Sequence, residues 1–318
     1  MWSNFRGVGG LICSVGIYYN SLTILSLGTL IIGTYQSFAQ YYRFAASEVA
    51  SDSFRSRAIS FVLAGGVVAA LISPTLIKES AQLSTYQYLG GFILVSLLAI
   101  FALIILSQLN IKDSFIAKHH EVARHWSKII LQPSYFVALF CAATGYGVMV
   151  LGMTATPIAM QHAEHGLNSI TTVIQFHVLG MFLPSFLTGT LIARFGVLRI
   201  MLIGTLILGL YILFAILSLD IISFAAALIL LGVGWNFLFI GGTVLLTETY
   251  SPAEKSKALA MNDMIIFIVG ICCSFGAGVL VNLLSWKVMN LSLIIWLLLA
   301  ALSIVWLRYW INRSRNNR

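Results

Sequence analysis

Between Ala258 and Trp286 the chain carries a single charged side chain, Asp263, and between Val288 and Leu307 it carries none. A helix needs an apolar run of about 20 residues to cross the hydrocarbon of a bilayer. Such runs recur through almost the whole sequence. Ten spans are predicted, at 5–20, 22–44, 58–77, 86–107, 134–160, 170–193, 197–217, 221–247, 260–283 and 287–308. The membrane core holds no water, so each backbone N–H and C=O has to be satisfied within the protein, which makes the spans helices. The expected fold class is an all-α membrane protein with ten transmembrane helices, four before a polar segment and six after it. Only 9% of the residues are charged, against about 25% in soluble domains, too few to cover a water-exposed surface.

The few charges are sorted by side. Threading the spans from a cytoplasmic N-terminus puts 16 of the 18 lysines and arginines on one side and only Lys78 and Lys287 on the other. Cytoplasmic loops of membrane proteins carry such an excess. Both termini are therefore expected inside the cell, with the chain in the inner or plasma membrane. The net charge of +8 then belongs to loops that set orientation and meet anionic lipid. A nucleic-acid partner would need one contiguous basic face, and none is visible. No cleavable signal peptide is evident. Cys13, Cys141, Cys272 and Cys273 lie in apolar stretches without zinc-ligand spacing and read as packing residues.

One charged phrase occurs twice. EVASDSFRSRAIS at 48–60 returns as ETYSPAEKSKALA at 248–260. At this offset Glu48 matches Glu248, Ser51 Ser251, Arg55 Lys255, Ser56 Ser256, Arg57 Lys257 and Ala58 Ala258. Both copies join two spans on the cytoplasmic side, so the repeat is parallel, about an axis along the membrane normal. An acid at a helix end followed by cations can form interfacial ion pairs that hold a moving bundle; ordinary snorkelling loop charges are the other reading. The expected organisation is a four-helix N-terminal bundle at 1–107, a cytoplasmic linker at 108–133, a six-helix bundle at 134–311 and a basic tail at 312–318. Equal halves would need two further helices before Met1, so the first bundle is expected to lack a helical hairpin.

These features resemble the major facilitator superfamily of secondary transporters, over essentially the whole chain. The stretch GTLIARFGVLR at 189–199 is similar to the superfamily's glycine/arginine loop motif, with Ala193 in place of its acidic residue. Gly189, Arg194, Gly196 and Arg199 carry that likeness. NFRG at 4–7 looks like the tail of the first-half copy, and Glu48–Arg57 and Glu248–Lys257 match the acidic-then-basic pattern after helices four and ten. The helix-four arginine of proton-coupled drug exporters has no counterpart around Thr29–Gly33, and Gly65, Gly66 and Ser73-Pro74 match the exporter signature only in part. The resemblance implies a two-bundle fold that moves a small-molecule substrate by alternating access, with no enzymatic step and no cofactor. Proton coupling stays open, as does the reading that the chain is a truncated, non-transporting form.

Candidate substrate contacts are polar and aromatic residues inside spans. Tyr35 and Gln36 recur at the repeat offset as Trp235 and Asn236. Amides donate and accept hydrogen bonds, and aromatic faces stack on flat or cationic ligands; an interhelical hydrogen bond without ligand is the alternative. Gln40 shares the face of Gln36. Arg43 lies near the inner helix end, to snorkel or to meet a carboxylate. Tyr146 between Gly145 and Gly147, Gln175, and His177, an intramembrane ionisable group, complete the set. Asp263 reads as a helix-start carboxylate with a lesser role in coupling. His119, His120, Glu121 and His125 lack the HExxH spacing and read as a solvated linker helix; His162, Glu164 and His165 read as a solvated turn. No metal site and no phosphate-binding loop is expected.

Overall fold

The computed structural model describes residues 3–81, 84–86, 88–108 and 124–316. The described residues form helices with no strand. In chain order they are α1 (Ser3–Tyr18), α2 (Leu22–Val49), α3 (Arg55–Ala81), α4 (Leu89–Ser107), α5 (Trp126–Ile130), α6 (Pro133–His162), α7 (Leu167–Phe182), α8 (Ser185–Phe195), α9 (Val197–Leu217), α10 (Ile221–Thr247) and α11 (Lys255–Asn316). Eight stretches among the described residues are long and apolar enough to cross a membrane, and Gly7–Tyr18 is a shorter apolar helix. Most of the predicted linker, including His119, His120 and Glu121, lies outside the described residues.

Two boundaries differ from the sequence reading, each for a local reason, and a third falls in the predicted gap between 283 and 287. The span at 170–193 is interrupted where Pro184, which has no N–H to give, separates α7 from α8. α2 runs on to Val49 and α3 starts at Arg55, so Glu48 and Arg55 are helical rather than loop residues. The two last spans share α11, in which Ser285 alone departs from helical geometry, at φ 69° and ψ 158°. The chain reverses there. Before it, Ala258 and Val269 lie beside Tyr135 and Gly147 of α6. After it, Ala300 and Ser303 lie back beside Cys141.

The chain divides into two compact units, Met1–Ala45 with Ala69–His120, and Ala46–Val68 with Glu121–Arg318. In the first, α1 packs on α4 through small residues: a Cβ on Gly10 would fall 2.9 Å from the Phe92 carbonyl oxygen. In the second, α10 is central and packs on α6, α7 and α9. Lipid supplies no hydrophobic force between helices, so close packing and internal hydrogen bonds must hold them. Gly232 of α10 would place a Cβ 2.6 Å from the Met181 backbone nitrogen, and Gly180 of α7 one 2.8 Å from the Ile229 oxygen. The Tyr211 hydroxyl donates to Asn290 Oδ1 at 2.5 Å, and the Trp286 indole N–H donates to the Ala215 oxygen at 2.7 Å. The start of α3 joins this unit, with Ile59 in a buried cluster with Ile192, Ile200, Ile240 and Val244.

Candidate functional site

The sequence candidates fall on both units. In the first, Tyr35 and Arg43 are buried, Gln40 is half-buried and Gln36 is exposed. The Arg43 guanidinium lies 4.7 Å from the centre of the Phe44 ring. Neighbours one residue apart on a helix point in different directions, which separates Tyr35 from Gln36.

In the second unit Trp235 and Asn236 part in the same way. Asn236 is fully buried. Its amide donates to the Met181 oxygen at 2.7 Å and to Ser185 Oγ at 2.6 Å, and Oδ1 accepts from Thr188 Oγ1 at 2.6 Å. Both donors are thus consumed in tying α10 to α7 and α8. His177 is equally buried, with Nδ1 2.8 Å from the Leu228 oxygen. That contact and the small Gly232 beside it make His177 part of the α7–α10 seam. Gln175 is half-buried. Asp263 is buried and accepts from the Asn262 amide at 2.9 Å.

Trp235 turns the other way, into a row of rings that crosses four helices. It stacks on Phe239 at 4.9 Å with 19° between planes, and Phe182 of α7 stands edge-on to it at 6.0 Å. Tyr146 of α6 follows at 6.1 Å from Phe239, and Phe267 of α11 at 6.2 Å from Tyr146. Trp235 and Phe239 are buried, whereas Tyr146, Phe182 and Phe267 are half-buried. The sequence reading found Trp235 and Tyr146 but missed the three phenylalanines, because Phe in an apolar span has no contrast with its neighbours. Two cavities open elsewhere in this unit. One, of 730 Å³, lies at the α11 reversal beside His162 and Lys287, and the other, of 470 Å³, lies between α6 and α11 beside Phe140 and Cys273.

The repeated phrase forms a second constellation. Glu48 of the first copy pairs with Lys255 of the second. Arg55 of the first copy contacts Asp52 at 2.5 Å and also lies within electrostatic reach of Glu248 of the second. The acid of each copy thus faces a cation of the other, the reciprocal pattern made by two copies of one motif that meet head to head. Arg57 is half-buried and Lys257 exposed. Ser56 Oγ donates to the Gly189 oxygen at 2.9 Å, and a Cβ on Gly189 would fall 2.6 Å from Arg57 Cα. That glycine lets α8 touch the start of α3. Gly196, at φ 89°, is in the left-handed region where glycine is at ease. Arg194 and Arg199 on either side are exposed.

A clamp that the sequence did not suggest lies beside these pairs. Arg124, at the end of the linker, reaches buried Glu254 through Nε at 2.5 Å and a second guanidinium nitrogen at 2.7 Å. The Arg124 and Ser251 backbone N–H groups also donate to that carboxylate, each at 3.0 Å. The Arg124 hydrogen bond, with those N–H groups, overcomes the effect of burial and holds the Glu254 carboxyl down at about 2. Position 254 corresponds to Phe54 in the first copy, so the repeat gave no hint of the acid. Among the described residues no three metal-ligating side chains come together.

The fold and the sequence have relatives. A bacterial homologue of the iron transporter ferroportin, solved in an outward-facing state, matches at a TM-score of 0.69 and 14% identity over 96% of this chain and 81% of that one. The transporter FucP in an outward conformation matches at 0.64 and 13%, over 95% and 81%. These likenesses concern the fold alone. By sequence the chain is 38% identical over 286 residues to the riboflavin transporter RfnT of Brucella anthropi, covering 88% of this chain and 71% of that protein. It is 27% identical to the uncharacterised transporter YddS of Bacillus subtilis, over 94% of this chain and 73% of that one. Residues 135–318 match the family described as Major Facilitator Superfamily. This multi-pass, all-helical membrane protein belongs to the Major Facilitator Superfamily of transporters.

Proposed function

We propose that the protein carries riboflavin, or a flavin close to it, across the cell membrane by alternating access as a secondary transporter. The observation that carries the substrate is the 38% identity, sustained over 286 residues, to a riboflavin transporter. The row of rings in the second unit supports it, since a flavin ring is flat and stacks on aromatic faces. Substrate contacts are assigned to Tyr35, Gln36, Gln40, Tyr146, Gln175 and Trp235. Asn236 and His177 are assigned to packing, because their hydrogen bonds run to neighbouring helices.

The crossed pairs Glu48–Lys255 and Arg55–Glu248 act in this reading as a cytoplasmic lock, made when that side is closed and broken when it opens. Arg57, Gly189, Arg194, Gly196, Arg199 and Lys257 support these cytoplasmic helix ends, and Arg43, buried against the Phe44 ring, is assigned to the inner end of α2. Both termini face the cytoplasm in this reading, which the split of 16 cations against two supports. The test is uptake. A riboflavin-auxotrophic bacterium without its own importer, expressing this chain, grows on micromolar riboflavin and accumulates labelled riboflavin. Growth no better than with empty vector, at verified membrane expression, refutes the assignment. A protonophore added to the same cells decides proton coupling.

A further inference from the structure

Buried indole N–H groups find acceptors, because leaving a donor unpaired away from water is costly. Trp286 obeys this rule through the Ala215 oxygen. Trp235, 3% exposed, does not: its Nε1 is buried without a hydrogen-bond partner among the described residues. Asn236, next in sequence, points away from it, and its Oδ1 accepts from Thr188. The surrounding rings of Phe239 and Phe182 offer no acceptor atom. Phe182 in turn is pressed against α3, where a Cβ on Gly66 would fall 2.5 Å from its ring. A buried donor thus sits unpaired within the aromatic row, and Gly66 of α3 leaves room for the Phe182 ring beside it.

We infer that the Trp235 indole N–H is the substrate-reading donor of this transporter, and that its ligand is a flat heteroaromatic ring with a carbonyl or imine acceptor on its edge. The ligand ring displaces Phe182, lies among Tyr146, Phe239 and Phe267, and takes the hydrogen bond that the resting protein leaves unmade. A site built to donate rejects a ring that lacks the acceptor, because the buried donor then stays unpaired. The inference rests on the transport reading but not on riboflavin itself. The edge of a flavin's pyrimidine-type ring carries such acceptors, and so does that of a purine.

The experiment is equilibrium binding to the purified full chain in detergent, with riboflavin, lumiflavin, adenosine and ribitol as probes, for wild type and Trp235→Phe. The expected result is binding of at least one ring-bearing probe and no binding of ribitol. Trp235→Phe is expected to weaken the ring probe about tenfold, the effect of one hydrogen bond, at an unchanged melting temperature. Equal affinity in the variant overturns the inference, as does a wild type that binds ribitol alone or none of the probes. Riboflavin bound equally by both proteins removes the donor and leaves the transport assignment standing. Adenosine bound with the tenfold loss, and riboflavin not bound, removes riboflavin and leaves the donor standing. If Trp235→Phe lowers the melting temperature, wild type alone decides. Lumiflavin should then bind at least tenfold tighter than anthracene, a ring of similar size without any hydrogen-bond acceptor atom, and equal binding overturns the inference.

Discussion

At the scale of single residues, the structure separates groups that the sequence presents as equivalent. Gln36 and Asn236 occupy matching positions in the repeat, yet Gln36 is exposed and Asn236 has both donors engaged inside the protein. Asn236→Ala is expected to lower stability by about 1–3 kcal/mol, the cost of stranded buried partners, while the surviving protein keeps its apparent affinity. Gln36→Ala is expected to do the reverse, leaving the melting temperature unchanged and raising the half-saturation for uptake. Thermal melts and uptake curves on both variants check this. The Arg124–Glu254 clamp predicts a pH signature. Its carboxyl sits near 2 in the folded protein against an ordinary 4.5. It therefore contributes fully above about pH 4.5 and loses that contribution as pH falls toward 2. Glu254→Gln should unfold more readily than wild type at pH 7, by about 1–3 kcal/mol given that Arg124 is half-exposed. The gap should close on acidification; a gap that persists at pH 2.5 contradicts the assignment.

Helices and their ends were legible in the sequence to different depths. The spans could be read because charge inside lipid is costly, so ten apolar runs stand out and all fall on helices. The repeated phrase could be read because charged residues are scarce. Which acid meets which cation could not, since an offset pairs Glu48 with Glu248 as equivalents while a two-fold arrangement brings Glu48 to Lys255. The reversal at Ser285 falls in the gap predicted between 283 and 287, whereas the break at Pro184 was obscured because it comes with no polar loop. The exchange of partners predicts a rescue. Glu48→Lys alone and Lys255→Glu alone are each expected to cut transport severalfold, and the double reversal to recover most of it; a double variant no better than either single one removes the pair from the lock. At the α3–α8 contact, Gly189→Val should reduce folded protein and flux together, because overpacking costs about 1–3 kcal/mol where backbone is the obstacle. Wild-type yield in that variant contradicts the close contact.

For the molecule as a whole, the sequence already held the membrane class, the family resemblance and a direction of insertion. The row of rings was only half visible, and the substrate was not visible at all. Specificity in lipid is set by a few polar atoms among many apolar ones, and their use depends on which neighbour they face. Orientation is open to a simple check: a cysteine placed after Arg318 should resist a membrane-impermeant thiol reagent in intact cells and react once the cells are opened.

Flavin carriage by the purified protein is open to a counterflow measurement. Purified protein in liposomes preloaded with unlabelled riboflavin should draw in labelled riboflavin from outside, transiently above its equilibrium level, and unlabelled ribitol in place of the preload should abolish the overshoot. Labelled riboflavin entering no faster than into protein-free liposomes would contradict the account.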